Sequence, residues 1–386
     1  MIFDTQTALR LSGLLVVCVG LTACLPEEDS PQRNTGDDDR FRSILVDASD
    51  NTTFRGVNLV TGETTKELDG DDWHIALRRY NGVQMNGGVV GSGSVSAALA
   101  DEQEAFYDGA GDPIANTFIN ATPEMYVADL EYPYDPVDLT FSAEEKGYAF
   151  GLPFSFANYG RPGTKWWEYR TADGFVVGNV DANWVVKSTG GSHFAVKVTT
   201  DTIWQTRESI FNGITLNVVT ANADGEFTGT GSTLQGGAGG AAYFDLDTGA
   251  VESSIADAPE WDIAFIKEGS DLRLELNGGV TANGGVVGQG PFTTTEVDAL
   301  SVDSNFDRGN VSDGVSNIFT ENEWLVYGVE GYGTGHSLAP NFRVFAVDLD
   351  GDSATTDDIY MVQAVNYYHP DAGTSGHITL RVRQLD

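Results

Sequence analysis

Hydrophobic and polar positions alternate in short runs along most of this chain, and Gly, Asn and Asp separate the runs. HFAVKV (His193 to Val198), GITLNV (Gly213 to Val218) and IYMVQAV (Ile359 to Val365) show the pattern. A period of two puts successive side chains on opposite faces of a pleated strand, whereas a helix would repeat every 3.6 residues. Val, Ile, Thr and aromatic residues fill the runs, and turn formers bound them. No apolar stripe at helical spacing is long enough to predict an extended helix. The pattern predicts an all-β protein.

The runs recur in order. VNLVTGE (Val57 to Glu63), WHIAL (Trp73 to Leu77), NGGVVGSG (Asn86 to Gly93), HFAVKV and GITLNV form a first series. YFDLDTGAV (Tyr243 to Val251), WDIAF (Trp261 to Phe265), NGGVVGQG (Asn283 to Gly290), IYMVQAV and GHITLRV (Gly376 to Val382) form a second. Landmarks repeated in one order predict a tandem duplication, with domains over 41–222 and 226–386. The octets lack a following Lys-Ser/Thr and a helix, so they read as Asn-Gly turns and not as phosphate cradles. Trp73 to Asn86 spans 13 positions and Trp261 to Asn283 spans 22, which predicts an inserted hairpin around Leu272 to Ala282. Gly229 to Gly240 (GTGSTLQGGAGG) predicts an irregular loop opening the second copy.

The N-terminus follows different rules. Leu11 to Ala23 is apolar, follows Arg10 and ends LTAC at Cys24. It is too short to span a bilayer and suits a signal peptide over 1–23. The small residues before Cys24 are similar to a bacterial lipobox, which implies cleavage there and lipidation of Cys24. Acidic, Pro-bearing residues 24–40 then predict a disordered tether, and Leu25 is similar to the signal for outer-membrane sorting. With Cys18 removed, no thiol is left for a disulfide or a metal.

Charge narrows the partners. There are 57 acidic against 21 basic residues, a formal net charge of −36. Phosphate binding needs a basic footprint, so nucleic acid is excluded as a partner. Attraction to an anionic membrane is excluded as well, leaving the lipid as the anchor.

The landmarks together resemble the HmuY family of secreted or lipid-anchored haem-binding proteins. DLDTG (Asp245 to Gly249), WDIAF, the Asn-Gly-Gly turn and MVQAVNYYHPDAGTSGHITLRV (Met361 to Val382) carry the resemblance. It covers nearly all of the second copy and less of the first. It implies two tandem HmuY-like two-sheet β domains whose long hairpin loops clamp haem, with two axial side chains on the iron. Two axial ligands in an apolar slot hold haem without activating oxygen. The implied role is haem capture and relay to an outer-membrane TonB-dependent haem transporter.

The residues that could ligate iron are few. His336 lies in the Gly-rich run GYGTGHSLAPN, and His369 and His377 flank DAGTSG. Histidines on loops with no packing role are ligand candidates; the favoured pair is His336 with His369, His377 standing in reserve. Met85 and Met125 are weaker candidates for the first copy. His74 reads as a solvated strand residue, and His193, aligned with Ile359, as structural. The propionates of haem are anionic, so on an acidic protein the site would depend on iron ligation and apolar contact.

Two other classes compete. DLDGDSATTDD offers Asp348, Asp350 and Asp352 as oxygen ligands for calcium, although the spacing departs from an EF-hand. A surface module binding a glycan or a protein partner through loop aromatics is the alternative to haem. No G-x-S-x-G, H-E-x-x-H or surviving Cys nucleophile points to an enzyme.

Overall fold

The computed structural model describes residues 40–385 apart from 80, 81, 200, 304, 354 and 355. Cys24, the signal peptide and nearly all of the tether lie outside the described residues. The protein is all-β, built from antiparallel sheets with a few short helical turns. The alternation does the work expected of it. In Ile214–Thr220 the side chains of Ile214, Leu216 and Val218 are buried while Thr215 and Asn217 are half-exposed.

Two sheet sandwiches form. In body I, one sheet runs in the order 42–47, 375–384, 359–368, 344–348, 96–101, 142–143. The other runs 64–65, 55–57, 75–77, 83–85. Ile44, Val46, Ile75, Leu77, Phe345, Val362 and Leu380 from both sheets share one core. In body II the orders are 232–236, 214–220, 193–198, 183–187, 287–292 and 251–252, 241–244, 263–268, 271–276. Trp184, Val196, Leu216, Phe244, Phe265 and Leu274 fill the space between.

Strand pairing therefore does not follow the division into 41–222 and 226–386. Arg42–Asp47 pairs with Ser375–Gln384, joining the start of the first repeat to the end of the second. Asn183–Lys187 pairs with Val287–Phe292 in the converse sense. Each body takes the front half of one repeat and the back half of the other. Apart from the edge strand 142–143 of body I, the strands of these two-sheet frames match in order, so the exchange preserves the repeated fold while dividing it differently.

The chain crosses between bodies twice. Glu145–Gly147 leads from body I to body II, and Gly314–Ser316 leads back. The two crossing segments pair with each other antiparallel, Glu145 opposite Ser316, Lys146 opposite Val315 and Gly147 opposite Gly314. The pairing is symmetric about its middle, as a local two-fold axis requires. Just before each crossing stands a buried carboxylate. Glu144 accepts the Met85 N–H at 3.0 Å, and Asp313 accepts the Leu276 N–H at 2.9 Å.

These matched bonds correct the alignment of the octets. Asn86 Nδ2 donates to Trp73 O at 2.8 Å, and Asn277 Nδ2 donates to Trp261 O at 2.6 Å. Val95 N donates to Asn86 O, and Val286 N to Asn277 O. Gly88 and Gly279 both hold φ near +60°, at 66° and 61°, where a side chain would meet the carbonyl of Glu144 or Asp313. Asn86 is thus matched by Asn277, and the longer match at Asn283 is six positions out of register. Leu272 to Ala282 is no insertion: Asp271–Leu276 is the second strand of the WDIAF hairpin. That hairpin is three residues longer than its partner in the first repeat. Ser232–Gly236, expected to be loop, is an edge strand, the counterpart of Arg42–Asp47.

Two predictions follow from this arrangement. A protease site placed at Asp224, in the exposed turn between the repeats, will give two fragments that stay together in native size-exclusion chromatography and part only in denaturant. Separation into two compact species without denaturant would contradict the exchange. Asn86→Ala and Asn277→Ala will each destabilise by about 1–3 kcal/mol, because buried donors and acceptors lose their partners. Asn283→Ala, at an exposed position, will stay close to wild type in denaturant melts.

Candidate functional site

A cleft of about 290 Å³ opens at one end of body I. The first repeat supplies Leu77, Arg79 and Val83 from the WHIAL hairpin, and the second supplies Phe319, Thr320, Glu323, Trp324, Leu325, Tyr327 and Leu338. Both repeats are needed to build it, which is a direct result of the exchange. Asn317 caps the short helix Ile318–Glu321 and donates to Val83 O at 2.8 Å, so helix and hairpin are tied behind the cleft.

One hairpin lines the opening, and a second packs against it. Leu325–Tyr327 and Leu338–Pro340 pair across the 328–337 loop that carries His336. Tyr327, which lines the cleft, has its hydroxyl 2.8 Å from His336 Nδ1. Ile359–Tyr368 and Ser375–Gln384 form the second hairpin, with His369 and His377 near its tip. Leu338 N donates to the Tyr368 hydroxyl at 3.0 Å, joining the two hairpins. Arg79 Nη2 reaches Ser375 Oγ at 3.0 Å beside the tip of the second.

The three histidines differ in readiness to bind a metal. If His336 Nδ1 donates to Tyr327, Nε2 keeps its lone pair, which is the tautomer an axial ligand needs. His369 Nδ1 accepts the N–H groups of Asp371 and Ala372, each at 3.2 Å. That acceptance puts the proton of a neutral ring on Nε2, so ligation through Nε2 would require these bonds to break. His377 has Thr374 Oγ1 at 3.3 Å from Nδ1 and Asp47 Oδ1 at 3.5 Å from Nε2. The ring contact present is His369 against His377, 5.2 Å between centroids and edge to face.

The other candidates fall in different surroundings. Met85 has no solvent exposure and belongs to the core of body I, where no porphyrin edge can reach it. Met125 is 62% exposed on a short helical turn. His74 is not a solvated strand residue: its Nδ1 accepts the Leu59 N–H at 3.0 Å, and burial pushes its pKa down. In body II Asp262 does the same task, accepting the Leu246 N–H at 2.7 Å. His193 Nε2 lies 2.8 Å from Asp307 Oδ1, within hydrogen-bond distance, in body II.

The acidic loop is not a calcium cage. Asp348 is buried, and its Oδ1 accepts the N–H groups of Asp350 at 3.2 Å and Gly351 at 3.1 Å. Asp350 Oδ1 in turn accepts Asp352 N–H at 2.9 Å. The carboxylates cap their own turn and do not converge. Among the described residues, the acidic group whose oxygens gather within 4.8 Å is Asp245, Asp247 and Asp262. There Asp262 and Asp247 hold the 189–190 turn through Thr189 N at 2.7 Å and Gly190 N at 3.1 Å.

Body II has the same cleft position, but closed. Phe265 stands where body I has Leu77, and Phe211 stacks on it at 5.9 Å with 15° between planes. Phe211 belongs to residues 199–213, which fold across to place Trp204–Gln205 against Phe175–Val176. The segment in body I that matches it, 365–377, extends instead as the histidine hairpin.

Behind the open cleft, burial pushes the Glu144 carboxyl up to about 7, against the opposing influence of its hydrogen bonds from Met85 N and Asn317 Nδ2. Asp313, its counterpart, is raised by burial too.

No family model matches the chain, and no curated protein does. Among solved structures, a Bacteroides fragilis NCTC 9343 chain that carries the name lipoprotein is similar at 12% identity, with 90% of this chain and 91% of that chain covered and a TM-score of 0.28. A Bacteroides vulgatus ATCC 8482 chain named HmuY-like and heme-binding is similar at 19% identity, over 37% of this chain and 84% of that chain, with a TM-score of 0.14. Among the described residues, no helix is long and apolar enough to cross a membrane.

The pH dependence of Glu144 has a definite sign. A carboxyl raised by the fold adds stability that is complete below its unfolded pKa and is lost as pH rises through about 7. Glu144→Gln removes that loss. Its melting temperature relative to wild type will therefore be higher at pH 8 than at pH 5; an offset equal at both would show that Glu144 titrates normally.

Proposed function

We propose that this chain is a lipid-anchored haem-binding protein that captures haem and passes it to an outer-membrane uptake system. One observation carries the reading: an open cleft with aromatic and aliphatic walls, lined by the hairpin that bears His336 and joined through Leu338 and Tyr368 to the hairpin that bears His369. The cleft lies at the small end of the range for ligand sites, so it would take an edge of the porphyrin while the loops cover the rest. His336, whose Nε2 is free to ligate when Nδ1 donates to Tyr327, is the favoured ligand, and His369 would join after releasing its turn. Nothing in the role requires a catalytic step, because a saturated iron in an apolar slot is held and not activated. Relay to a TonB-dependent transporter follows from the same reading, with the acyl chain on Cys24 keeping the protein at the membrane.

The exposed rings of Phe156 and Tyr159, packed edge to face on Tyr169, favour a second reading in which body II takes a glycan.

Hemin titration of the chain from residue 25 onward tests the first reading by Soret absorbance. The expected result is one equivalent bound with a sharpened six-coordinate band. His336→Ala will abolish that band, and His369→Ala will leave a five-coordinate spectrum with about tenfold weaker binding, near 1.4 kcal/mol. Absence of saturable binding would overturn the haem reading and direct attention to glycans.

A further inference from the structure

Body II contains a surrogate for whatever occupies the cleft of body I. Leu77 and Arg79 of the first hairpin correspond to Phe265 and Lys267 of the second, two positions apart on the same strand face. In body II the ring of Phe211 lies flat on Phe265, and Lys267 Nζ stands 5.4 Å above the centre of that ring. The Lys267 ammonium is further satisfied by Gly269 O at 2.7 Å. The position thus holds a planar ring beneath a cation, supplied by the chain itself.

In body I the same position is open, and its cation meets no carboxylate. Arg79 donates to Ser375 Oγ through Nη2, but its Nε is buried without an acceptor. No carboxylate among the described residues pairs with it, in a chain with 57 acidic side chains. The backbone at Arg79 holds φ at +45°, which costs energy for a residue with a side chain. Its N–H is anchored to Ala48 O at 2.9 Å. A guanidinium held at the wall of an apolar cleft with an unmet donor calls for an anionic, planar acceptor such as a carboxylate.

We propose that the body I cleft binds a planar conjugated ring bearing a carboxylate, with Arg79 as the partner of that carboxylate and the equivalent cleft of body II permanently filled by Phe211. The proposal rests on the haem reading for the identity of the ring and adds the group that orients it. It also gives an anionic ligand one cationic contact on a protein of net charge −36, at a cleft wall that Arg79 shares with Glu323.

The test uses protoporphyrin IX without iron, as the diacid and as its dimethyl ester, titrated into the chain from residue 25 onward and followed by tryptophan quenching. Wild type will bind one equivalent of diacid about tenfold more tightly than ester, the scale of one charge-assisted hydrogen bond. Arg79→Gln will remove that preference and leave ester binding unchanged, and Arg79→Lys will restore part of it. Phe211→Ala will raise the stoichiometry from one towards two. Equal affinity for diacid and ester in wild type, or a preference that survives in Arg79→Gln, would overturn the proposal. Because these probes carry no iron, the outcomes separate. A His336-dependent hemin spectrum with no Arg79 effect would leave the haem reading standing alone. An Arg79-dependent diacid preference without hemin ligation would leave the carboxylate site standing and remove the haem reading.

Discussion

The pairing of Glu145–Gly147 with Gly314–Ser316 is the constraint on which the rest of this protein depends. Three residue pairs about a local two-fold axis decide which front half meets which back half. Once the chain crosses there, Arg42–Asp47 can close the sheet only on Ser375–Gln384, and the end of the first repeat only on the start of the second. The crossing is fixed on both sides by a buried carboxylate accepting a backbone N–H from the WHIAL or WDIAF hairpin. Burying an acid there has a cost in desolvation, visible in the raised pKa of both groups.

The exchange also gives the two bodies different fates. Each retains the same two-sheet frame, so a cleft forms at the same end of each. The segments that follow the matched strands then diverge. Residues 199–213 turn back and pack Trp204 and Phe211 into body II, joining its core. Residues 365–377 continue as a projecting hairpin and leave the cleft of body I open. Aromatic residues near 200 and histidines near 370 are thus two solutions to the same exposed end: fill it, or keep it for a ligand.

Hydrogen bonding sorts residues that look alike in sequence. His74 and Asp262 occupy matched positions and differ in chemistry, yet each accepts an N–H from the turn after the neighbouring strand, Leu59 or Leu246. Asp348, Asp350 and Asp352 resemble a calcium loop, but Asp348 Oδ1 and Asp350 Oδ1 are taken by N–H groups of the same turn. In each case a short polar side chain is satisfied locally, by the same competition with the backbone that shapes Asx turns.

The all-β class was legible in the sequence, because period-two alternation depends on local spacing alone. The identity of the histidine loops was legible for the same reason: Gly-rich runs between strands have to be turns. Register was not. NGGVVGQG matches NGGVVGSG better than NGGVTA does, yet backbone bonding selects Asn277, since only that residue can bridge Trp261 to the closing Val286. Nor could the sequence decide how the repeats share strands. Strand-to-strand pairing is degenerate between two copies with the same pattern, and the choice falls to six residues at the crossing. Arg79 was missed for a related reason: its meaning comes from Ser375, 296 positions away, and from Phe211 in the other body. Local pattern determined what the elements are, and only long-range packing decided which of them meet and which cleft stays open.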